Sequence, residues 1–234
     1  MRIADLNWKQ LEKLLEREDR AVLPVGSTEQ HAFLSLATDV ILAERVAVEA
    51  AEPLGVPVFP VLAYGLTPDF TAYPGTITLR PETFDALLRD VLGGIRLHGF
   101  RRVLLVNGHG GNRPAWDPLR AWARAHDLQL RIHDWWAGPK FVDKVRSIDP
   151  AASHASWMEN FPWTRLAGVA MPRTAKPMID YAHYRSLDPP GVRAYLEDGS
   201  FGGRYQRSDD EIHAIWRAGV EETREFLEGR WDGV

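Results

Sequence analysis

Glu29, His31, Asp39, His109, His154 and Glu159 carry side chains able to bind a cation or move a proton. Glu29 and His31 lie two positions apart, so on an extended segment both face the same side. Asp39 follows at the start of a predicted helix and can return to the same centre. A carboxylate placed to bridge two cations would suit a two-metal hydrolase. The plainer reading makes Glu29 and Asp39 turn or helix caps and His31 a loop residue. The run Asn107-Gly108-His109-Gly110-Gly111-Asn112 surrounds a histidine with glycines, which allow close backbone approach and positive φ. The N–H groups of Gly110 and Gly111 could bind an oxyanion there. Its plainer reading is a tight strand-to-helix turn with an incidental histidine. In the third cluster, Ser153-His154-Ala155 followed by Glu159, His154 could act as general acid/base and Glu159 as a ligand. The alternative is an exposed His–Glu pair.

The remaining histidines carry less. His98 and His126 sit near predicted helix C-termini, where a cation favours the dipole. His213 falls in the last helix as a surface or packing residue. His133 stands beside Asp134, Trp135 and Trp136 at a strand end and could border a pocket; His183 has no assignment.

Composition narrows the chemistry. The 234 residues contain no cysteine, so disulfides and thiolate ligands are excluded and any metal must be held by His, Asp and Glu. Such ligands suit Zn, Mn or Fe. A net charge of −4 argues against nucleic-acid binding. Hydrophobic residues make up 45% and charged residues 26%, ordinary values for a globular chain. Neither a signal peptide nor an apolar run of about 18 residues is visible, so a cytoplasmic protein without membrane contact is expected.

These groups need elements to position them. Helices are predicted over 8–18 with Asn7 as N-cap, 38–51, 81–97 with proline in the first turn, 114–125 and 209–227. Strands are predicted over 21–26, 56–62, 102–106 and 128–133, with 76–79 extended. Residues 64–75 and the Pro-, Trp- and Tyr-rich stretch 135–184 read as loops. Alternating strands and helices imply an α/β fold with a mainly parallel sheet. Ligands of such sheets bind beyond the carboxyl ends of strands, where Glu29, His31 and His109 would all fall. No repeat or linker is visible, so a single domain over 1–234 is expected.

Taken in order, the clusters resemble the creatininase family of creatinine amidohydrolase-like proteins. The matching residues are Leu23-Pro24-Val25-Gly26-Ser27-Thr28-Glu29-Gln30-His31 and Thr38-Asp39; then Tyr73-Pro74-Gly75-Thr76-Ile77-Thr78-Leu79 and Val106-Asn107-Gly108-His109-Gly110-Gly111-Asn112. His154-Ala155 with Glu159, and Gly199-Ser200-Phe201-Gly202-Gly203, complete the set. The resemblance implies a three-layer α/β/α sandwich, a centre with one or two divalent ions, and a homo-oligomer, often a hexamer. It implies Glu29, His31, Asp39, His109 and Glu159 as metal ligands, with Asp39 bridging, and His154 as proton shuttle. Departures from the family pattern are Ala32-Phe33-Leu34-Ser35 in place of a loop with glycine and a second histidine, and Gly111 where creatinine hydrolases carry Glu. Trp157 replaces a Glu, and Asn160-Phe161 replace Thr-Ser.

The expected activity is metal-dependent hydrolysis of a non-peptide C–N bond in a small amide, cyclic amides included. Gly110, Gly111, Trp136 and Trp157 would contact substrate, with Trp135 and Phe70 further candidates for an apolar wall. Deformylation of a pyrimidine nucleotide intermediate, and non-catalytic binding of a metal or small molecule, are the alternatives.

Overall fold

The first helix, α1 (Trp8–Leu15), starts at Asn7, whose side chain accepts the Gln10 N–H while the Gln10 side chain accepts the Asn7 N–H. This reciprocal cap satisfies two orphan donors. The computed structural model describes residues 1–231. Three strands follow: β1 (Arg20–Val25), β2 (Arg102–Asn107) and β3 (Gln129–Asp134). They pair in parallel in the order β1-β2-β3, with Val25 opposite Asn107 and Asn107 opposite Asp134. That register aligns the carboxyl ends of all three strands.

Two helical layers cover the sheet. On one face lie α2 (Thr38–Ala51), α5 (Pro139–Ile148) and α8 (Asp209–Glu228). Val22, Leu104 and Val106 pack there with Leu42, Val46, Phe141, Ile212 and Ile215. On the other face lie α3 (Pro81–Leu97) and α4 (Trp116–Ala125). α3 lays the stripe Phe84, Leu88, Leu92, Ile95 against Leu23, Val103 and Leu105. The strands are therefore apolar on both faces, as a covered parallel sheet requires. The expected α/β sandwich is the observed one. Two short helices, α6 (Tyr181–Tyr184) and α7 (Pro189–Leu196), belong to a separate apolar cluster around Phe70 and Tyr73.

Two longer elements differ from expectation, and the short α6 also lies inside the stretch 135–184 read as loop. Residues 56–62 lie along the free edge of β1 but form isolated bridges to it, Val22 to Val58 and Val25 to Leu62, while Val58 also bridges Arg2. Val22 exchanges hydrogen bonds with Pro57 (2.9 Å) and Phe59 (2.8 Å), and the next bond runs from Leu62 to the Pro24 carbonyl at 3.0 Å. Pro24 has no N–H to donate to this edge, so the ladder breaks and slips beyond Val22. The second difference is α5, which lies inside a stretch read as loop. Pro139 opens it, Phe141 and Val145 bury, and the buried Glu222 carboxylate of α8 accepts the Lys140 and Phe141 N–H groups at 3.3 and 3.2 Å. No helix among the described residues is long and apolar enough to cross a membrane.

Candidate metal centre

The cluster is assembled where the strands end. Beyond β1 the chain turns through Ser27 to Glu29 and His31, both about 1% exposed. α2 then brings Asp39 back against the same strand ends. Two glycines permit this approach: a Cβ at Gly26 would lie 2.7 Å from the Val40 nitrogen, and one at Gly108 would overlap the Asp39 carbonyl. His109 enters from the end of β2. Glu159 enters from a turn of 3₁₀ helix, Trp157–Glu159, and the Ala155 N–H donates to its carboxylate at 2.6 Å.

Asp39 sits at the middle. Its Oδ1 lies 3.0 Å from His31 Nε2 and its Oδ2 lies 3.0 Å from His109 Nδ1. Glu29 Oε1 is 3.2 Å from His109 Nδ1, and Glu159 Oε2 is 4.0 Å from His31 Nε2. Two triads result, Glu29-Asp39-His109 and His31-Asp39-Glu159, each with ligand atoms within 4.8 Å of one another. Asp39 is common to both. A third grouping, Glu29-His31-His154, meets the same distance.

Each inward nitrogen is fixed by what the other nitrogen does. His109 Nε2 lies 2.9 Å from the Leu66 carbonyl, and His31 Nδ1 lies 3.3 Å from the Glu29 carbonyl. A carbonyl can only accept, so these nitrogens carry the protons of the neutral rings. His109 Nδ1 and His31 Nε2 then turn lone pairs toward carboxylate oxygens. His31 Nε2 and Asp39 Oδ2 are accordingly buried without a hydrogen-bond partner. Lone pair facing lone pair is repulsive unless a cation lies between, and the all-N/O donor set suits a divalent ion.

The protonation behaviour says the same. Burial alone would lower the His31 pKa, but the charge and hydrogen bond of Asp39, then Glu159 and Glu29, push it up to about 10. His109 is likewise driven well up, against burial, by Glu29 and Asp39. Burial favours protonation of Asp39, yet the two imidazoles hold it ionised far below the usual range. Burial, then Asp39, raises Glu159 to about 7, despite the opposing charge of His31. The cluster is short of positive charge, and without an ion protons would supply it.

The cluster opens into a cleft of about 1430 Å³, large for a small-molecule site. Glu29, Asp39, His109, Gly110, Gly111, His154, Glu159, Phe70 and Trp136 all line it. Gly111 fits under His109: a Cβ there would overlap both the His109 ring and the Leu66 carbonyl. His154 stacks on Phe70 at 4.9 Å and meets the His31 ring, tilted, at 4.5 Å. Its Nδ1 is 3.9 Å from Glu29 Oε1. Burial, then the His31 charge, holds the His154 pKa well below ordinary.

Some expected residues are elsewhere. Trp157, placed on the substrate wall from sequence, is fully buried in the core with its indole donating to the Ala151 carbonyl at 3.2 Å. Trp135 is also core, against Phe141 and Trp216. His133 is buried on Phe226, away from the cleft lining. Residues without an assigned role turn out to brace the site. Asn107 donates to the His109 carbonyl and to Asp134, both at 2.7 Å, and Asn112 ties Leu66 to Gly26. Their signal was their place inside the glycine-rich run.

A profile of the creatininase family, described as creatinine amidohydrolase, matches residues 4–227. The chain belongs to the creatininase family. Creatinine amidohydrolase of Pseudomonas putida is 33% identical over 117 residues, 47% of this chain and 45% of that protein. The 3-dehydro-scyllo-inosose hydrolase of Thermotoga maritima is 35% identical over 107 residues, 45% of this chain and 34% of that protein. The mycofactocin precursor peptide peptidase of Mycolicibacterium smegmatis is 38% identical over 98 residues, 39% of each. The matched stretches thus span less than half of each curated relative. A creatinine amidohydrolase crystal structure superposes with a TM-score of 0.78 at 23% identity, covering 100% of this chain and 98% of that one. Related creatininase structures are described as Zn-Zn and Mn forms. The three curated relatives are named for unlike substrates, so the comparisons place the chain in the family without choosing among them.

Proposed function

We propose that this chain hydrolyses a non-peptide C–N bond in a small amide. Glu29, Asp39 and His109 would hold one divalent ion, and His31, Asp39 and Glu159 a second, Zn, Mn or Fe. The supporting observation is the sharing of Asp39 between two buried triads that open onto one cleft. Ions bound there would supply an acidic water and a polarising charge for a carbonyl. The residues of the chain do the rest. Gly110 and Gly111 form cleft wall without side-chain bulk, so a planar amide can reach His109 and Glu29. Trp136 offers an apolar face and Phe70 backs the His154 ring, which meets the reacting group. A homo-oligomer remains part of this reading.

The test is metal analysis followed by an amide and lactam panel on Zn- or Mn-loaded protein. Turnover that disappears on chelation and in D39N supports the reading. A protein that binds both ions and cleaves nothing in the panel would favour non-catalytic binding.

One observation favours a second substrate class. Arg80, Arg89, Arg113, Arg146 and Arg185 line the cleft; the first three pair with Glu82, Asp85 and Asp134, and Arg146 and Arg185 are the cations a phosphorylated substrate would meet. Deformylation of a pyrimidine nucleotide intermediate would use them, and including a formamido nucleotide in the panel separates the two.

A further inference from the structure

Gln30 is 4% exposed, yet every polar atom of its carboxamide is engaged. Its Oε1 accepts the Ala32 N–H at 3.1 Å, and its Nε2 donates to the Gly199 carbonyl at 3.0 Å. A backbone N–H only donates and a carbonyl only accepts, so the amide has one permitted orientation. The same Nε2 lies 2.9 Å from His154 Nε2. Its second hydrogen therefore points at that ring nitrogen, which must accept. The proton of the neutral ring is then on Nδ1, the nitrogen facing Glu29.

The clamp is built on both sides. Gly199 has φ +95°, and a Cβ there would overlap the Gln30 Oε1. The Phe201 N–H donates to the His154 carbonyl at 3.1 Å, and the Phe70 and Phe201 rings hold the imidazole at 4.9 and 5.0 Å. These contacts fix the plane of the ring, and the Gln30 amide then selects which nitrogen accepts.

We infer that Gln30 is a positioning residue that locks His154 as a neutral Nδ1–H donor aimed into the cleft. His154 then serves as an electrophile, giving a hydrogen bond to the carbonyl oxygen of the bound amide as charge develops on it. It neither collects the proton of the attacking water nor binds an ion, since its inward nitrogen already carries hydrogen. This replaces the acid–base shuttle expected from sequence and removes the Glu29-His31-His154 grouping from the candidate cation sites. A neutral imidazole can polarise a carbonyl in this way when its surroundings keep it neutral.

The catalytic consequence rests on the proposed amide hydrolysis; the tautomer does not. The test is therefore ¹⁵N NMR of ring-labelled histidine in the zinc-loaded full chain, with His154 assigned by H154N. The wild type is expected to show protonated Nδ1 and unprotonated Nε2. Q30E presents a carboxylate to Nε2 and is expected to shift the proton there. Q30M removes the donor at similar volume, and with folding and zinc content checked it should lower kcat roughly 100-fold while KM changes little. An Nε2–H signal in the wild type, or the same tautomer in Q30E, would overturn the lock. Unchanged kcat in Q30M would overturn its catalytic role. If no amide is turned over while the wild-type and Q30E spectra behave as stated, the function proposal fails and the lock stands.

Discussion

Gly111 and His109 fit together so closely that no side chain can stand between them. A Cβ at 111 would meet both the imidazole and the Leu66 carbonyl that accepts a hydrogen bond from the ring's Nε2–H. That bond leaves Nδ1 free to face Glu29 and Asp39. G111A is therefore expected to rotate the ring and weaken cation binding about 10- to 100-fold, the usual cost of losing a group that orients a ligand. Titration with zinc under a competing chelator measures it. Unchanged affinity would mean the ring does not bind an ion through Nδ1. The same crowding explains why a glutamate, as creatinine hydrolases carry at this position, is not accommodated without moving the Leu66 backbone.

The shared carboxylate predicts an unequal response to mutation. D39N should empty both positions, because Asp39 Oδ1 and Oδ2 each serve a different histidine. E159Q and H31Q should affect only one. Elemental analysis after dialysis is expected to fall from two ions per chain toward zero in D39N and toward one in the other two. Loss of a single ion in D39N would refute the bridging arrangement.

Much of this site is legible in the sequence because its parts sit at strand ends in short runs. The bounds of α3 are legible too, since Pro81 opens it and a regular apolar stripe fills one face. The failures have physical causes. Residues 56–62 look like a buried strand, but the missing N–H of Pro24 lies on the neighbouring strand, where a one-strand reading does not see it. Trp136 and Trp157 are equally apolar, and only packing decides that one lines the cleft and the other fills the core. Gln30 lies inside the first motif, yet its role depends on Gly199, 169 residues away.

Protons and ions compete at the cluster, and the sign follows from the shifts. His31 rises from an ordinary 6.5 to about 10, so in metal-free protein its contribution is complete below 6.5 and lost as pH rises through 10. Glu159 rises from 4.5 to about 7, so its protonated form contributes below 4.5 and that contribution is lost as pH rises through 7. Asp39, shifted down, keeps its contribution over this whole range. Buried His154 and His133, both shifted down, act in the opposite sense below an ordinary 6.5, so the metal-free protein should lose thermal stability from about pH 7 to about pH 10. Ion binding displaces these protons, so apparent affinity should rise with pH. Melting curves with and without zinc across that range check both. A metal-free Tm that climbs toward pH 10 would contradict the assigned shifts.

Ala32 departs from the family's glycine and bears a cost for it. Its φ is +51°, a left-handed conformation that a Cβ disfavours by about 1–2 kcal/mol. Glycine would remove that strain but add backbone freedom to the unfolded chain, worth roughly 0.5–1 kcal/mol. The strain outweighs the added freedom, so A32G should stabilise by up to about 1 kcal/mol, a Tm rise of about 2–4 °C for a chain of this size. The Ala32 N–H holds the Gln30 carboxamide at 3.1 Å, and glycine retains that N–H. Zinc content and the His154 tautomer should therefore be unchanged in A32G. A lower Tm would mean that the freedom added to the unfolded chain outweighs the strain at φ +51°.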